Sequence, residues 1–231
     1  IAVSIMSKKI ASGADKILVD IKLGTGALIK NEKDAKRLSE IMVKIGKKYN
    51  REVRTITTNM NVPLGNNIGN SLEVIEAIDI LDGKEKNYLC DLCIKLSSIL
   101  VSMAKGITEE EAKNMVYSSI NNKSALNKLY ELIQSQHGNI NSLKVSDKVI
   151  EIKSKKEGKI QNIDAYNMGI VARDLGAGRY NKEDKIDYTV GIVLKKHIGS
   201  KVRIGDVLCE LYINDNSVYD VNFILDSYTI I

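Results

Sequence analysis

Residues 16–60 constrain the fold more than any other part of the chain. "KILVDIKL" (16–23) is a largely apolar, β-branched run of the kind a buried parallel strand shows. In "NEKDAKRLSEIMVKIGKKYN" (31–50), Ala35, Leu38, Ile41, Met42 and Ile45 recur at helical spacing with charges opposite. Asn31 is placed to cap this helix, and Gly46 with the lysines after it marks the other end. "EVRTITTNM" (52–60) then reads as a second strand. Strand, crossover helix and strand predict a β-α-β unit, which implies parallel pairing and a right-handed crossover. Ligands of open α/β sheets collect at the carboxyl ends of such strands.

Beyond residue 60 the spacing predicts a loop containing Pro63, Gly65 and Gly69, then a helix closed by Gly83. Asn70 is the expected N-cap of that helix, with Glu73 completing a variant capping box. Further helices are predicted at about 86–104, 109–120 (opening on the capping box Thr108 to Glu111) and 122–138. From Val149 the texture changes to short alternating runs broken by glycine, around one helical segment at 167–179. A short helix and an apolar extension end the chain. The predicted fold class is α/β, a mixed sheet flanked by helices, with a C-terminal β-rich, barrel-sandwich-like α+β domain. The expected divisions are 1–13 (the end of a helical domain segment), 14–145 (a partial α/β core) and 146–231 (the β-rich domain).

With 231 residues, 44% hydrophobic and 27% charged, the chain can bury a sizeable core. The net charge of +5 is spread among 29 acidic residues, with one Phe, no Trp and no arginine-rich block, which argues against a nucleic-acid partner. No apolar run approaches the ~18 to 20 residues of a membrane span, and no secretory segment is expected before Ile1. Three cysteines, Cys90, Cys93 and Cys209, point to a reducing, cytoplasmic setting. Cys90 and Cys93 form a C-x-x-C inside an apolar helical pattern, without further zinc ligands and away from a helix N-terminus, so both are expected to pack in the core.

Three local patterns are candidates for chemistry. Ser4 and Lys8, one helical turn apart, share a face and are either a solvated face or a grip for a flat ligand with ring carbonyls. "KLGTGA" (22–27) puts glycines directly after a strand, as a binding loop or as a tight turn. In "NVPLGNNIGN", a proline-stiffened loop precedes a helix carrying Glu76. Backbone carbonyls plus one carboxylate suit a hard cation, and a capped loop with a surface Glu76 is the alternative. "HIGSKVRIGDVL" (197–208) looks like the glycine turn of biotinyl and lipoyl carrier domains, but the tripeptide holding their modified Lys is absent. A non-catalytic module of that kind is the rival reading from another class.

Taken in order, "SIMSKKIASGADKILVDIKLGTGALIK", "TTNMNVPLGNNIGNSLEVIEAI" and "GKIQNIDAYNMGIVARDLGAGRYNKEDKIDYTVGIVL" resemble the pyrimidine-nucleoside and thymidine phosphorylases over essentially the whole chain. The resemblance implies phosphorolysis of a pyrimidine nucleoside to free base and (deoxy)ribose 1-phosphate, with inorganic phosphate as co-substrate, in a cytoplasmic homodimer. It places Ser4 and Lys8 on the base, with Lys8 as the catalytic group. It places potassium on the backbone carbonyls of Leu64 and Asn67 and the Glu76 carboxylate, although Asn67 is not the usual small residue there. The family's phosphate-gripping glycine loop and the Arg of its base site have no counterpart in this sequence. The chain therefore reads as a C-terminal fragment expected to be inactive by itself. A thymidine-restricted enzyme is the alternative within the class, and a relative acting on a nucleoside monophosphate shares the fold.

Overall fold

The computed structural model describes residues 1–231. Helix α1 (Ala2–Ala11) precedes strand β1 (Lys16–Leu23), helix α2 (Glu32–Lys48) and strand β2 (Glu52–Asn59). β1 and β2 pair in parallel, Lys16 opposite Glu52 through Leu23 opposite Asn59, as the β-α-β pattern predicts. Asn31 caps α2 by accepting a 2.9 Å bond from the Asp34 N–H. The helix runs past Gly46, which does a different job from the expected stop. A Cβ there would lie 2.1 Å from Cγ2 of Val53, so Gly46 is what lets α2 press onto β2. Met6, Ile17, Ile21, Ala35, Met42 and Val53 bury together at this junction.

Strand β3 (Asn67–Gly69) leads into helix α3 (Asn70–Leu81). Sequence reasoning reads this strand as loop, because three residues flanked by Pro, Gly and Asn carry no periodicity. Helices α4 (Tyr88–Lys105), α5 (Glu109–Asn121) and α6 (Ser124–Ser135) follow, with the Thr108–Glu111 capping box formed in full. α4 packs on β1. Cys90 is buried but stands in the first turn of α4, which corrects the expectation that the pair lies away from a helix N-terminus, whereas Cys93 is exposed and corrects the expectation that both pack inside. Residues three apart are separated by about 60° around a helix, and the edge of the buried stripe falls between them. Burial pushes the Cys90 thiol up, opposite to the lowered pKa a redox thiol needs.

The remaining chain forms β4 (Lys148–Lys153), β5 (Gly158–Ile163), α7 (Ala165–Ala172), β6 (Gly191–Leu194), β7 (Lys201–Val202), β8 (Val207–Ile213), α8 (Val221–Asp226) and β9 (Tyr228–Ile230). The four-stranded sheet has the order β3-β6-β8-β4, and β5 lies between β7 and β9 in a second sheet. The result is a mixed α/β molecule with several sheets and no closed barrel. The core between these sheets is aliphatic and fully shielded: Ile152, Met168, Leu175, Ile192, Leu208, Leu211 and Ile224 are each 2% exposed or less. Cys209 sits among them, its thiol pushed up to about 12 by burial.

Because Gly46 touches a stiff β-branched side chain, Gly46→Ala is expected to lower the unfolding free energy by about 1 to 3 kcal/mol in urea titration, despite alanine's better helix propensity. Adding Val53→Ala should make the Gly46→Ala step less costly than it is in the native background.

Candidate functional site

The loop between β2 and β3 is organised by one carboxylate. Glu76 stands in the second turn of α3 and is 3% exposed. Its Oε1 accepts from the Asn66 N–H at 2.7 Å and from Nδ2 of Asn87 at 2.6 Å, and its Oε2 accepts from the Asn67 N–H at 3.1 Å. No Lys or Arg forms an ion pair with it, so a buried carboxylate is satisfied by three N–H donors alone. Two carboxylate oxygens offer about four acceptor sites, which leaves one free.

Gly65 is required by the same contact. A Cβ at Gly65 would lie 2.4 Å from Oε2 of Glu76, so any side chain would fill the space against the carboxylate. Gly65 approaches the carboxylate closely, and the two residues after it, Asn66 and Asn67, bond it through their backbone N–H groups. The Asn67 amide donates to the Leu72 carbonyl at 2.8 Å, which ties the loop to the first turn of α3 and gives this larger residue a role. The Asn67 N–H thus meets Glu76 directly, and Leu64 lies one residue before Gly65, whose backbone passes against the carboxylate.

The start of α3 differs from the expected cap. Gly69, not Asn70, is the N-cap, and Oε1 of Glu73 reaches back to the Gly69 N–H at 3.1 Å. The Asn70 amide instead donates to the Ala177 carbonyl at 2.9 Å. Gly69 has φ +146°, and a Cβ there would meet the Val190 carbonyl at 2.7 Å; only glycine allows β3 to lie this close to β6.

Beside this loop a cleft of about 510 Å³ opens between Leu64 and Asn66, the start of α4 at Asn87, and the β6–β7 connection at His197 and Ile198. The glycines of "KLGTGA" are spent on packing. A Cβ at Gly24 would meet the Asn61 backbone nitrogen at 2.5 Å, and one at Gly26 would meet Cβ of Ala165 at 2.8 Å. Asn61 accepts from Thr25 through its side chain and from the Ala165 N–H through its carbonyl, joining the two strand-end loops to α7.

Ser4 and Lys8 lie on the side of α1 away from Ala2 and Met6, and both are exposed. The structure does not bring them to Glu76 by any hydrogen bond or ion pair.

The "LGAGR…D.ID..VGI" stretch forms a knot that sequence reasoning registers as a motif without a role. α7 ends in a π turn (Arg173–Ala177) in which Gly176 takes φ +114°. The carbonyls of Asp174, Leu175, Gly176 and Ala177 accept from Val218 N, Ser217 Oγ, Asp187 N and Asn70 Nδ2 in turn. Asp187 accepts from the N–H and Oγ1 of Thr189 at 2.8 and 2.6 Å and from the Asn214 amide. Burial raises its carboxyl, but these hydrogen bonds outweigh burial and hold it below the ordinary value.

Parallel strands β1 and β2 with glycine-tightened loops at their carboxyl ends, followed through β3 by a small α+β unit, define an α/β chain. Residues 159–228 match the family model described as the pyrimidine nucleoside phosphorylase C-terminal domain. Over 234 aligned positions, 98% of this chain, it is 43% identical to the pyrimidine-nucleoside phosphorylases of Staphylococcus aureus strains USA300 and NCTC 8325 / PS 47. It is 42% identical to that of strain bovine RF122 / ET3-1. The chain is a homologue of the pyrimidine-nucleoside phosphorylases and spans 54% of the length of the curated relatives it matches.

A depressed carboxylate contributes stability that is present above its unfolded value and lost as pH falls through its folded value. Asp187→Asn is therefore expected to destabilise the chain at pH 7 by about 1 to 3 kcal/mol. The gap between wild type and variant should close as pH drops below about 4, the ordinary Asp value. Thermal unfolding at pH 7, 5 and 3.5 measures it.

Proposed function

We propose that this chain is the part of a pyrimidine-nucleoside phosphorylase that holds the leaving base and the cation loop. The complete protein then converts uridine, thymidine or deoxyuridine and inorganic phosphate into free base and (deoxy)ribose 1-phosphate. The observation that carries the reading is the buried Glu76 carboxylate under the Leu64–Asn67 loop, found in a chain 43% identical to pyrimidine-nucleoside phosphorylases over 98% of its length. The further partners of this reading are potassium and a second copy of the full-length chain, in the cytoplasm. The separate aliphatic clusters around Met42 and around Leu211 support distinguishing an N-terminal α/β part, into which Ala2 and Met6 of α1 also pack, from a C-terminal unit near 146–231 that β3 joins.

In this reading Lys8 and Ser4 face the base. As the glycosidic bond breaks, negative charge develops over the ring carbonyls of the departing pyrimidine. An ammonium aimed at that charge stabilises the transition state more than the ground state. The Ser4 hydroxyl adds a neutral hydrogen bond that orients the ring. Their exposure on α1 leaves both free to meet a ligand or a facing surface. The Glu76 carboxylate and the carbonyls of Leu64 and Asn67 would hold potassium, which supplies positive charge where the carboxylate lacks a cationic side chain. Asn66 and Asn67 keep the loop seated on Glu76, and Gly65 keeps the space between them open.

A charge-assisted hydrogen bond contributes about 1.5 to 3 kcal/mol. Lys8→Ala in the full-length enzyme is therefore expected to lower kcat/KM for uridine by about 10- to 150-fold. Circular dichroism should stay unchanged, because Lys8 is exposed. Unaltered uridine kinetics would remove Lys8 from the base site.

A further inference from the structure

We propose that Asn87 is a positioning residue for cation binding, holding the Glu76 carboxylate in its binding orientation from the far side of the loop. The inference rests on the reading of Glu76 as a potassium ligand and assigns to that site a residue from a different helix.

Asn87 does two jobs with one side chain. Its Oδ1 accepts from the Cys90 N–H at 3.0 Å and so caps the N-terminus of α4. Its Nδ2 donates to Oε1 of Glu76 at 2.6 Å. The cap fixes the amide plane, because Oδ1 must face the helix, and Nδ2 is thereby aimed at the carboxylate. Oε1 is also held by the Asn66 N–H, so two donors saturate that oxygen. Oε2 receives only the Asn67 N–H at 3.1 Å and faces Gly65, where no side chain intervenes. The carboxylate is thus pinned through one oxygen, and the other keeps a free lone pair on the loop side.

The geometry has an electrostatic side as well. Asn87 brings Glu76 to the N-terminal end of the 18-residue helix α4, where the unpaired N–H groups carry partial positive charge. No lysine or arginine is paired with the carboxylate at this end of the helix. Without the Asn87 donor, Oε1 loses half its anchoring and the carboxylate can rotate away from the loop. Outer partners of metal ligands act in this way, and removing one costs about 10- to 100-fold in affinity.

The test separates the cap from the positioning role. Serine is as good an N-cap as asparagine but is too short to keep the bond to Glu76. The full-length protein is melted in KCl titrated against choline chloride at constant ionic strength, which reads cation binding without any catalytic assay. Wild type is expected to show a saturable rise in Tm with potassium, and Glu76→Gln to lose it. Asn87→Ser should need about tenfold or more KCl for half the rise. Asn31→Ser, which alters the corresponding cap of α2, should leave the potassium response unchanged. Should Asn87→Ser fail to fold, Asn87→Thr carries the same test, since it retains a cap acceptor and is likewise too short to keep the bond to Glu76. The same loss of potassium affinity is expected of it. A half-saturation within twofold of wild type in the folded variant overturns the role of Asn87 while leaving Glu76 in place. Absence of any potassium-specific rise in wild type overturns the cation reading, and this inference with it.

Discussion

A single buried carboxylate organises the middle of this chain. Burying an ionised group without partners is costly, so Glu76 is tolerable only because backbone and side-chain N–H groups converge on it. The convergence has a geometric consequence. Donors come from the loop at Asn66 and Asn67 and from the start of α4 at Asn87, while the acceptor belongs to α3. Three successive segments of the chain are fixed relative to one another by one side chain. Replacing it with an apolar residue would leave two loop N–H groups without a partner, a loss larger than that of any single exposed ion pair in the molecule.

The second set of constraints is close approach. Gly24, Gly26, Gly46, Gly65 and Gly69 all occupy places where a methyl group would overlap a neighbour. Together they press α2 onto β2, the strand-end loops onto α7, and β3 onto β6. The β3–β6 contact matters most for architecture, because it inserts residues 67–69 of the α/β part into the sheet of the C-terminal part. The two parts therefore share hydrogen bonds and not only an apolar contact. That sharing fixes the wall of the cleft in which Leu64, Asn87 and His197 meet.

Much of this was legible in the residues themselves. The β-branched run at 16–23, the amphipathic stripe at 31–50 and the Asn31 and Thr108 caps each announce structure through short-range chemistry, and each stands where periodicity predicts. What escaped was long-range. β3 has three residues and no periodicity, and its pairing partner is more than 120 positions away. Asn70 looks like a cap by type and position, yet its amide is claimed by Ala177. Cys93 follows Cys90 closely enough to share its face in outline, but the buried stripe ends between them. Glu76 was readable as a possible cation ligand from the loop before it. That Asn87 would turn its amide to the same carboxylate was not, because nothing local distinguishes it from an ordinary helix cap. Ser4 and Lys8 gained their meaning from resemblance alone; an i, i+4 polar pair on a helix carries almost no information by itself.

The π turn that ends α7 has a mechanical implication. Four successive carbonyls are clasped by groups from three different stretches of polypeptide, at positions 70, 187 and 217–218. Unwinding that one turn releases all four attachments together, and none of them can be kept once the helix end has frayed. The C-terminal half should consequently resist piecemeal opening: its slowest-exchanging amides would be freed in a single concerted event, with the turn acting as the latch.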